Sequence, residues 1–294
     1  MEKKNDPKVA VLLAAYNGME WIEEQINSIF AQKNVDVTIF VSVDRSTDGT
    51  ESWVDNLAKT TRNVVFLPYG ERFGGAGANF YRLIQDVDFT GFDYIAFSDQ
   101  DDIWLHEKLD RACSLLSSNV CDVYSSDVIA FWSDGRQQLI KKSYPQKKYD
   151  YFFEAAGPGC TYVFNIRSAL AFQTFVKETN NLSESVSLHD WLAYAFCRQN
   201  GFIWFIDDQP LILYRQHENN QVGINHGMQA YKKRFNLVKQ RWYRNQVNTI
   251  TELVASSFSL KLNSYLFRLT NSLSFRRRPR DKTVLIIMFV SGIY

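Results

Sequence analysis

An α/β fold with a doubly wound, mostly parallel sheet and a basic helical extension at the C-terminus is predicted by three observations. Apolar runs of strand length recur through the first hundred residues and alternate with segments whose apolar residues fall at helical spacing. Polar loops rich in Asn, Asp and Gly follow these runs, as expected at the carboxyl ends of parallel strands. The charge is also divided: residues 1–227 hold 20 Lys/Arg against 30 Asp/Glu and residues 228–282 hold 13 against 2, so a net charge of +1 conceals an acidic body and a basic end. Two regions are therefore expected, a body over residues 1–227 and a basic, amphipathic helical region over 228–294.

Lys8 to Ala15 is apolar without interruption, the pattern of a strand buried on both faces. Tyr16-Asn17-Gly18 ends it, and Asn17 is a candidate cap for a helix carrying Trp21, Ile22, Ile26, Ile29 and Phe30 on one face. Val37 to Val43 reads as a second strand, Asp44 to Thr50 as a polar turn, and Glu51 to Lys59 as a helix that Asp48 or Thr50 can cap. Asn63 to Leu67 gives a third strand, and Gly70 to Ala78 a glycine-rich loop entering a helix through Phe80, Leu83 and Ile84. Asp93 to Ser98 is the fourth strand and Glu107 to Leu116 the next helix.

Beyond it, strand-like runs at Cys121 to Trp132, interrupted by polar Asp127, and at Cys160 to Phe164 are joined by a long polar connection, Ser133 to Lys148. Gly157-Pro158-Gly159 can act as a plain turn or bring backbone close to a ligand. His189-Asp190-Trp191 opens an apolar helix, and two further strands, Phe202 to Ile206 and Leu211 to Tyr214, lead to Arg215-Gln216-His217. With 46% hydrophobic residues in a chain of 294, one large core and a smaller appendage can be buried. The polar N-terminus suggests no signal peptide, and no run approaches the roughly 20 apolar residues of a membrane span, so a cytoplasmic protein is expected. Cys113, Cys121, Cys160 and Cys197 are scattered, which favours buried thiols over a disulfide framework or a zinc site.

The densest chemistry lies in Ser98-Asp99-Gln100-Asp101-Asp102, where three carboxylates leave a strand end together. Crowded carboxylates call for a compensating cation, and hard oxygen ligands suit Mg²⁺ or Mn²⁺, which commonly completes its shell with substrate phosphate. A solvated acidic turn is the plain alternative. His217, beside Arg215, is placed to be a metal or phosphate ligand, and Asp190 to be a carboxylate base or only a helix cap; the residues alone leave both open. The Gly74-Gly75-Ala76-Gly77 loop does not follow the first strand and lacks the G-x-G-x-x-G turn, which argues against a dehydrogenase. Neither a P-loop nor a G-x-S-x-G elbow is present.

Five ordered motifs carry a resemblance: A-x-Y-N-G at Ala14 to Gly18, D-x-S-T-D-G-T at Asp44 to Thr50, S-D-Q-D-D-I-W at Ser98 to Trp104, H-D-W at His189 to Trp191, and Y-R-Q-H-x-x-N at Tyr214 to Asn220. Over residues 8–222 the chain resembles glycosyltransferase family 2, with its GT-A fold, and within it the bacterial rhamnosyltransferase branch that builds O-antigen and capsule. The resemblance implies an inverting, metal-dependent transfer from a nucleotide-diphosphate sugar, with dTDP-rhamnose as the named candidate, to a lipid-linked saccharide. It implies donor contacts by Ala15, Tyr16, Asn17, Asp44, Asp99, Gln100 and Arg215, with Asp44 reading the base; a metal held by Asp101, Asp99 and His217; and Asp190 as the base. Two departures bear on base recognition: Val43 stands where an acid is common, and Arg45 where a small residue is common. A sugar-phosphate nucleotidyltransferase would need a basic glycine-rich loop after the first strand, and a silent binding module would not need both Asp101 and Asp190.

In the tail, Lys232, Lys233, Arg234, Lys239, Arg241 and Arg244 alternate with aromatic and aliphatic residues, and Arg276-Arg277-Arg278-Pro279-Arg280 precedes an uncharged apolar segment, Thr283 to Tyr294. This composition predicts attachment to an anionic membrane surface at the inner face of the cell membrane. No nucleic-acid module accompanies the basic residues, so nucleic acid is not an expected partner.

Overall fold

The computed structural model describes residues 6–179, 181, 185–217 and 241–294. The body is built on β1 (Lys8–Ala15), which pairs in parallel with β2 (Asp36–Val43) and β4 (Tyr94–Asp99), while β3 (Val64–Phe66) extends the sheet beyond β2. On the other side β9 (Val163–Asn165) runs antiparallel between β4 and β6 (Val123–Ser126), and β10 (Trp204–Asp207) pairs in parallel with β6. The seven strands lie in the order β10-β6-β9-β4-β1-β2-β3, a mostly parallel α/β sheet as expected.

Side-chain alternation along β1 divides the core. Ala10, Leu12 and Ala14 face α3 (Ala76–Asp86), α5 (Ile166–Glu178) and α6 (His189–Gln199); Val9, Val11, Leu13 and Ala15 face α1 (Ile22–Phe30), α2 (Thr50–Thr60) and α4 (Lys108–Ser117). Both sets are buried, which is why the run carries no polar residue inside it. Each large side chain so enclosed contributes about 1.5–3 kcal/mol of transfer free energy.

A second sheet, β5 (Ile103–Trp104), β11 (Ile212–Arg215), β7 (Val128–Phe131) and β8 (Gln137–Ile140), stands beside the first. Asp127 marks the crossing: the expected single run from Cys121 to Trp132 is two strands in two sheets. The buried carboxylate at the break accepts from Lys142 N at 2.5 Å and from Ser143 N and Oγ at 2.8 and 2.9 Å. β8 lies inside the segment read as a polar connection; it is an exposed edge strand whose Gln-Gln-Leu-Ile sequence has no buried face to advertise it. α5 went unread as well, although Asn165 caps it by accepting from Ser168 N at 2.9 Å and Ala169, Phe172 and Val176 form its inner stripe. Asn17 does not cap α1. It adopts a left-handed conformation (φ 45°), and the helix opens on Gly18 O instead, which accepts from Trp21 N and Ile22 N at 2.9 Å.

The tail residues Lys232, Lys233, Arg234 and Lys239, Asn220 and the boundary at 227/228 lie outside the described residues. From Arg241 on, the chain forms α7 (Trp242–Val254), α8 (Ser256–Leu262), α9 (Tyr265–Asn271) and α10 (Pro279–Ser291). Val247, Ile250, Phe258, Phe275, Leu285 and Phe289 are buried in the same cluster as α3 and α6. The basic run is not wholly external either: Arg277 is 4% exposed and sits against Asp150 and Glu154 at 3.6 and 3.7 Å. No helix among the described residues is long and apolar enough to cross a membrane.

Candidate active site

The carboxyl ends of β1, β2 and β4 open on a cleft of about 980 Å³, and Ala15, Tyr16, Asn17, Asp44, Asp99, Gln100 and Asp101 all line it. The three strand-end loops lock one another. Gln100 Oε1 accepts from Tyr16 N at 2.6 Å while its Nε2 donates to Tyr16 O at 2.8 Å, and any Cβ at Gly18 would collide with the Gln100 amide. Asn17 Oδ1 accepts from Thr47 N at 2.8 Å, and Asp48 accepts from Met19 N at 3.0 Å and Thr50 N at 3.1 Å. The D-x-S-T-D-G-T segment thus holds the first loop as well as starting α2.

Asp44 is 5% exposed, and its carboxylate draws the glycine-rich loop over the cleft: Oδ1 accepts from Arg45 N at 2.8 Å and Phe73 N at 2.9 Å, and Oδ2 from Gly74 N at 2.9 Å. Arg45 points away, donating to Gly70 O at 2.7 Å, and Val43 is buried in the core.

Asp101 Oδ2 and His217 Nε2 are hydrogen bonded at 2.8 Å, and Trp21 stacks on the His217 ring with centroids 4.2 Å apart. Asp99 and Asp102 come together with Cys160, their ligand atoms within 4.8 Å of one another. Burial, then the charges of Asp101 and Asp190, push the Asp99 carboxyl up to about 8, so with no cation beside it Asp99 holds a proton at neutral pH. The expected metal set is thus divided between two neighbouring groups, Asp101 with His217 and Asp99 with Asp102 and Cys160; the carboxylate oxygens and imidazole nitrogen suit Mg²⁺ or Mn²⁺, and the charge crowding at Asp99 is the kind a cation relieves. Arg215 differs from the expectation. Its N donates to Asp102 Oδ1 at 3.2 Å, its Nε donates to Asp101 O at 2.8 Å, and its guanidinium pairs with Glu24. It braces the acidic loop from behind and is not among the residues lining the cleft.

The opposite wall carries Asp190 in the first turn of α6, with Oδ1 accepting from Trp191 N at 2.8 Å. Burial raises its carboxyl to about 6, against the lowering effect of that amide and of the Lys142 charge. A group poised there is ionised at neutral pH yet basic enough to take a proton. His189 stacks on Phe80 at 3.8 Å and is held neutral by burial, its affinity for a second proton lowered to about 3. Gly159 closes on both residues: a Cβ there would lie 2.8 Å from His189 Nε2 and 3.3 Å from Asp190 Cβ. The Gly-Pro-Gly turn therefore packs directly against His189 and Asp190.

Sequence reasoning missed Trp21 as a stacking partner, and Lys142, Tyr243 and Arg276 as cleft residues. The sequence pattern puts Trp21 on the apolar face of the first helix, which reads as core packing and gives no sign of a ring stacked on His217. Lys142 and Arg276 gave no signal, because their placement depends on how two distant connections fold back.

Residues 10–173 match the family model described as glycosyl transferase family 2. The dTDP-rhamnosyl transferase RfbG of Shigella flexneri is 44% identical over 289 residues, covering 96% of this chain and 100% of that protein. The UDP-Glc:alpha-D-GlcNAc-diphosphoundecaprenol beta-1,3-glucosyltransferase WfgD of Escherichia coli is 27% identical over 168 residues, 56% of this chain and 63% of that protein. Among solved structures, the mannosyltransferase PcManGT of Pyrobaculum calidifontis, in complex with GDP-Man and Mn²⁺, superposes with a TM-score of 0.54 at 15% identity, over 98% of this chain and 81% of that one. Fold, cleft and full-length similarity agree: the chain belongs to glycosyl transferase family 2 and is a glycosyltransferase.

Proposed function

We propose that this enzyme moves rhamnose, with inversion, from dTDP-rhamnose to a lipid-linked saccharide in the assembly of a bacterial surface polysaccharide. The observation that carries the reading is the facing of two carboxylate groups across one cleft, Asp99 and Asp101 with His217 on one wall and Asp190 on the other. The likeness to RfbG supports the donor, and the likeness to WfgD supports a diphosphate-linked lipid acceptor.

Ala15, Tyr16, Asn17 and Gln100 hold the nucleoside between the first and fourth strand ends. Asp44 meets the base with a lone pair that the Gly74 amide leaves on Oδ2. Asp99, Asp101 and His217 would hold a divalent cation, Mg²⁺ or Mn²⁺, which supplies positive charge at the departing diphosphate. Asp190 takes the proton of the acceptor hydroxyl as its oxygen bonds to the anomeric carbon and the bond to the donor phosphate breaks, giving inversion in one displacement. Asp190 is half-buried at the cleft wall, and the Trp191 amide positions one of its carboxylate oxygens.

The enzyme would work at the inner face of the membrane. Leu260, Leu266, Leu273, Ile287 and Val290 are 59–74% exposed on α8 to α10, beside Lys261, Arg268, Arg280 and Lys282. Exposed apolar side chains interspersed with cations along these helices fit an anionic bilayer surface. The function is tested by incubating the full chain with dTDP-rhamnose, UDP-glucose or GDP-mannose, Mn²⁺ and a prenyl-diphosphate-linked saccharide. Transfer from dTDP-rhamnose that stops with EDTA is expected. Equal or better transfer from the other donors would overturn the donor assignment, and undiminished transfer in EDTA the metal.

A further inference from the structure

The acceptor side of the cleft carries positive charge that the reaction as described does not use. Lys142 and Arg276 both line the cleft, and neither is in an ion pair among the described residues. The nearby acids are engaged elsewhere: Asp150 with Arg198 and Arg277, Glu154 with Arg277, whose N donates to it at 2.6 Å, and Asp281 with Arg280 at 3.4 Å. Arg276 donates only to a backbone carbonyl, that of Phe153.

The two cations are held by built structure. Asp127 fixes the Lys142 backbone at the break between the two sheets. The Lys142 stem passes over Gly157, whose absent Cβ would sit 3.4 Å from Lys142 Cγ and 3.4 Å from Ser126 O. Arg276 lies over the Tyr243 ring, 5.6 Å from its centroid, and Tyr243 Oη donates to Phe153 O at 2.7 Å. Lys142 feels the charges of Arg277 and Arg276 as well as those of Glu154 and Asp190. Like charges gathered in a cleft without a direct ion pair are stabilised by an incoming anion, even with Glu154, Asp190 and Asp281 lining the same cleft. α10 begins three residues after Arg276 and carries the exposed Ile287 and Val290, so the cation pair is joined directly in the chain to the proposed membrane helix, which favours an anion on a lipid-linked acceptor.

We propose that Lys142 and Arg276 form an anion subsite that binds phosphate oxygens of a phosphate-linked acceptor. This rests on the reading of the acceptor as lipid-linked. Lys142 supplies a mobile point charge and Arg276 a fixed planar fork, and together they orient the acceptor so that its saccharide hydroxyl reaches Asp190.

The experiment measures binding and turnover separately on the full chain. Binding of farnesyl diphosphate, inorganic diphosphate and farnesol is followed by calorimetry in EDTA, which removes metal-dependent occupation of the donor side. Farnesyl diphosphate and inorganic diphosphate should bind and farnesol should not. Lys142→Met and Arg276→Met should each weaken diphosphate binding about tenfold, and Lys142→Arg should restore it. In turnover, Lys142→Met should raise the KM for a prenyl-diphosphate saccharide about tenfold while donor affinity stays within about twofold, and the KM for the same saccharide on a neutral aglycone should not move. Arg276→Met also removes the bond to Phe153, so Lys142→Met is decisive. Unchanged diphosphate binding in Lys142→Met, or an equal KM rise for the neutral acceptor, overturns the subsite. Intact diphosphate binding through Lys142 with no transfer to any lipid-linked saccharide would instead uphold the subsite and overturn the acceptor reading.

Discussion

The two walls of the cleft are built in different ways. The wall proposed to hold the donor is made of strand ends in a parallel sheet, where backbone pairing between β1, β2 and β4 sets the ends from which Tyr16, Asp44 and Asp99 emerge. The wall proposed for the acceptor is made of connections: the turn at 157–159, the segment clamped by Asp127, the start of α6, and helices that return from the far end of the chain. A strand end places a residue by register, whereas a connection places it by many separate contacts. The donor wall should therefore fail through its chemistry, and the acceptor wall through small changes of packing.

The largest expected effect is on the donor wall. Asp101→Ala removes a carboxylate that His217 also depends on, and metal-dependent donor binding should fall by more than the ~100-fold typical of losing an outer partner of a metal ligand. Titration of dTDP-rhamnose in Mn²⁺ checks it, and normal affinity would remove Asp101 from the metal site. On the acceptor wall, Gly159→Ala should lower kcat about 10- to 100-fold, since a methyl 2.8 Å from His189 Nε2 forces the ring and Asp190 aside. Gly157→Ala, whose methyl would be 3.4 Å from its neighbours, should cost several-fold less. Equal effects would show that the turn is a plain connection.

Trp21→Ala comes next, with about a tenfold loss in metal affinity because the stacked ring no longer orients His217, and Trp21→Phe should recover most of it. The pH dependence is smaller still. Asp190 must be ionised to act, so kcat/KM should rise as pH increases through about 6 and level off above it. The same raised value means that the folded state favours the protonated carboxyl, so this group's contribution to stability declines as pH rises from the ordinary Asp range through about 6.

The membrane face carries the mildest prediction for catalysis. Deleting residues 228–294 would strip Val247, Ile250 and Phe289 from the shared core, so it tests folding rather than attachment. Ile287→Ser with Val290→Ser changes only exposed positions. Binding to vesicles containing phosphatidylglycerol should then become wholly salt-sensitive, vanishing near 0.5 M salt where the Debye length is about 4 Å, while donor affinity is unchanged. A salt-resistant remainder in the double variant would mean that another surface inserts.

How much could be read from the chain follows the same division. β1, β2, β4 and the D-Q-D-D loop were legible because a doubly buried strand must be apolar throughout and its end must be polar. The motifs holding Asp190 and His217 stood out, and the fold brings both residues to the cleft, although nothing in the sequence signalled the stacking of Trp21 or the close approach of Gly159. An arginine beside a histidine at a strand end looks like a phosphate ligand, and only the fold reveals the contacts of Arg215 with Glu24 and the Asp101 carbonyl. Lys142 sat in a stretch with no periodicity at all, fixed by an aspartate fifteen residues away. The basic run was expected to meet an anionic membrane, yet Arg277 is buried against acids of the body.

The central claim is that one cleft separates a donor-holding wall from a proton-accepting one, and Asp190→Asn tests it most directly. The amide keeps the shape and lacks the basicity of the carboxylate, so binding of dTDP-rhamnose with Mn²⁺ should stay within about twofold of the wild type while transfer falls by about 10²–10⁴. Turnover close to the wild type, or loss of donor binding in step with turnover, would contradict the account.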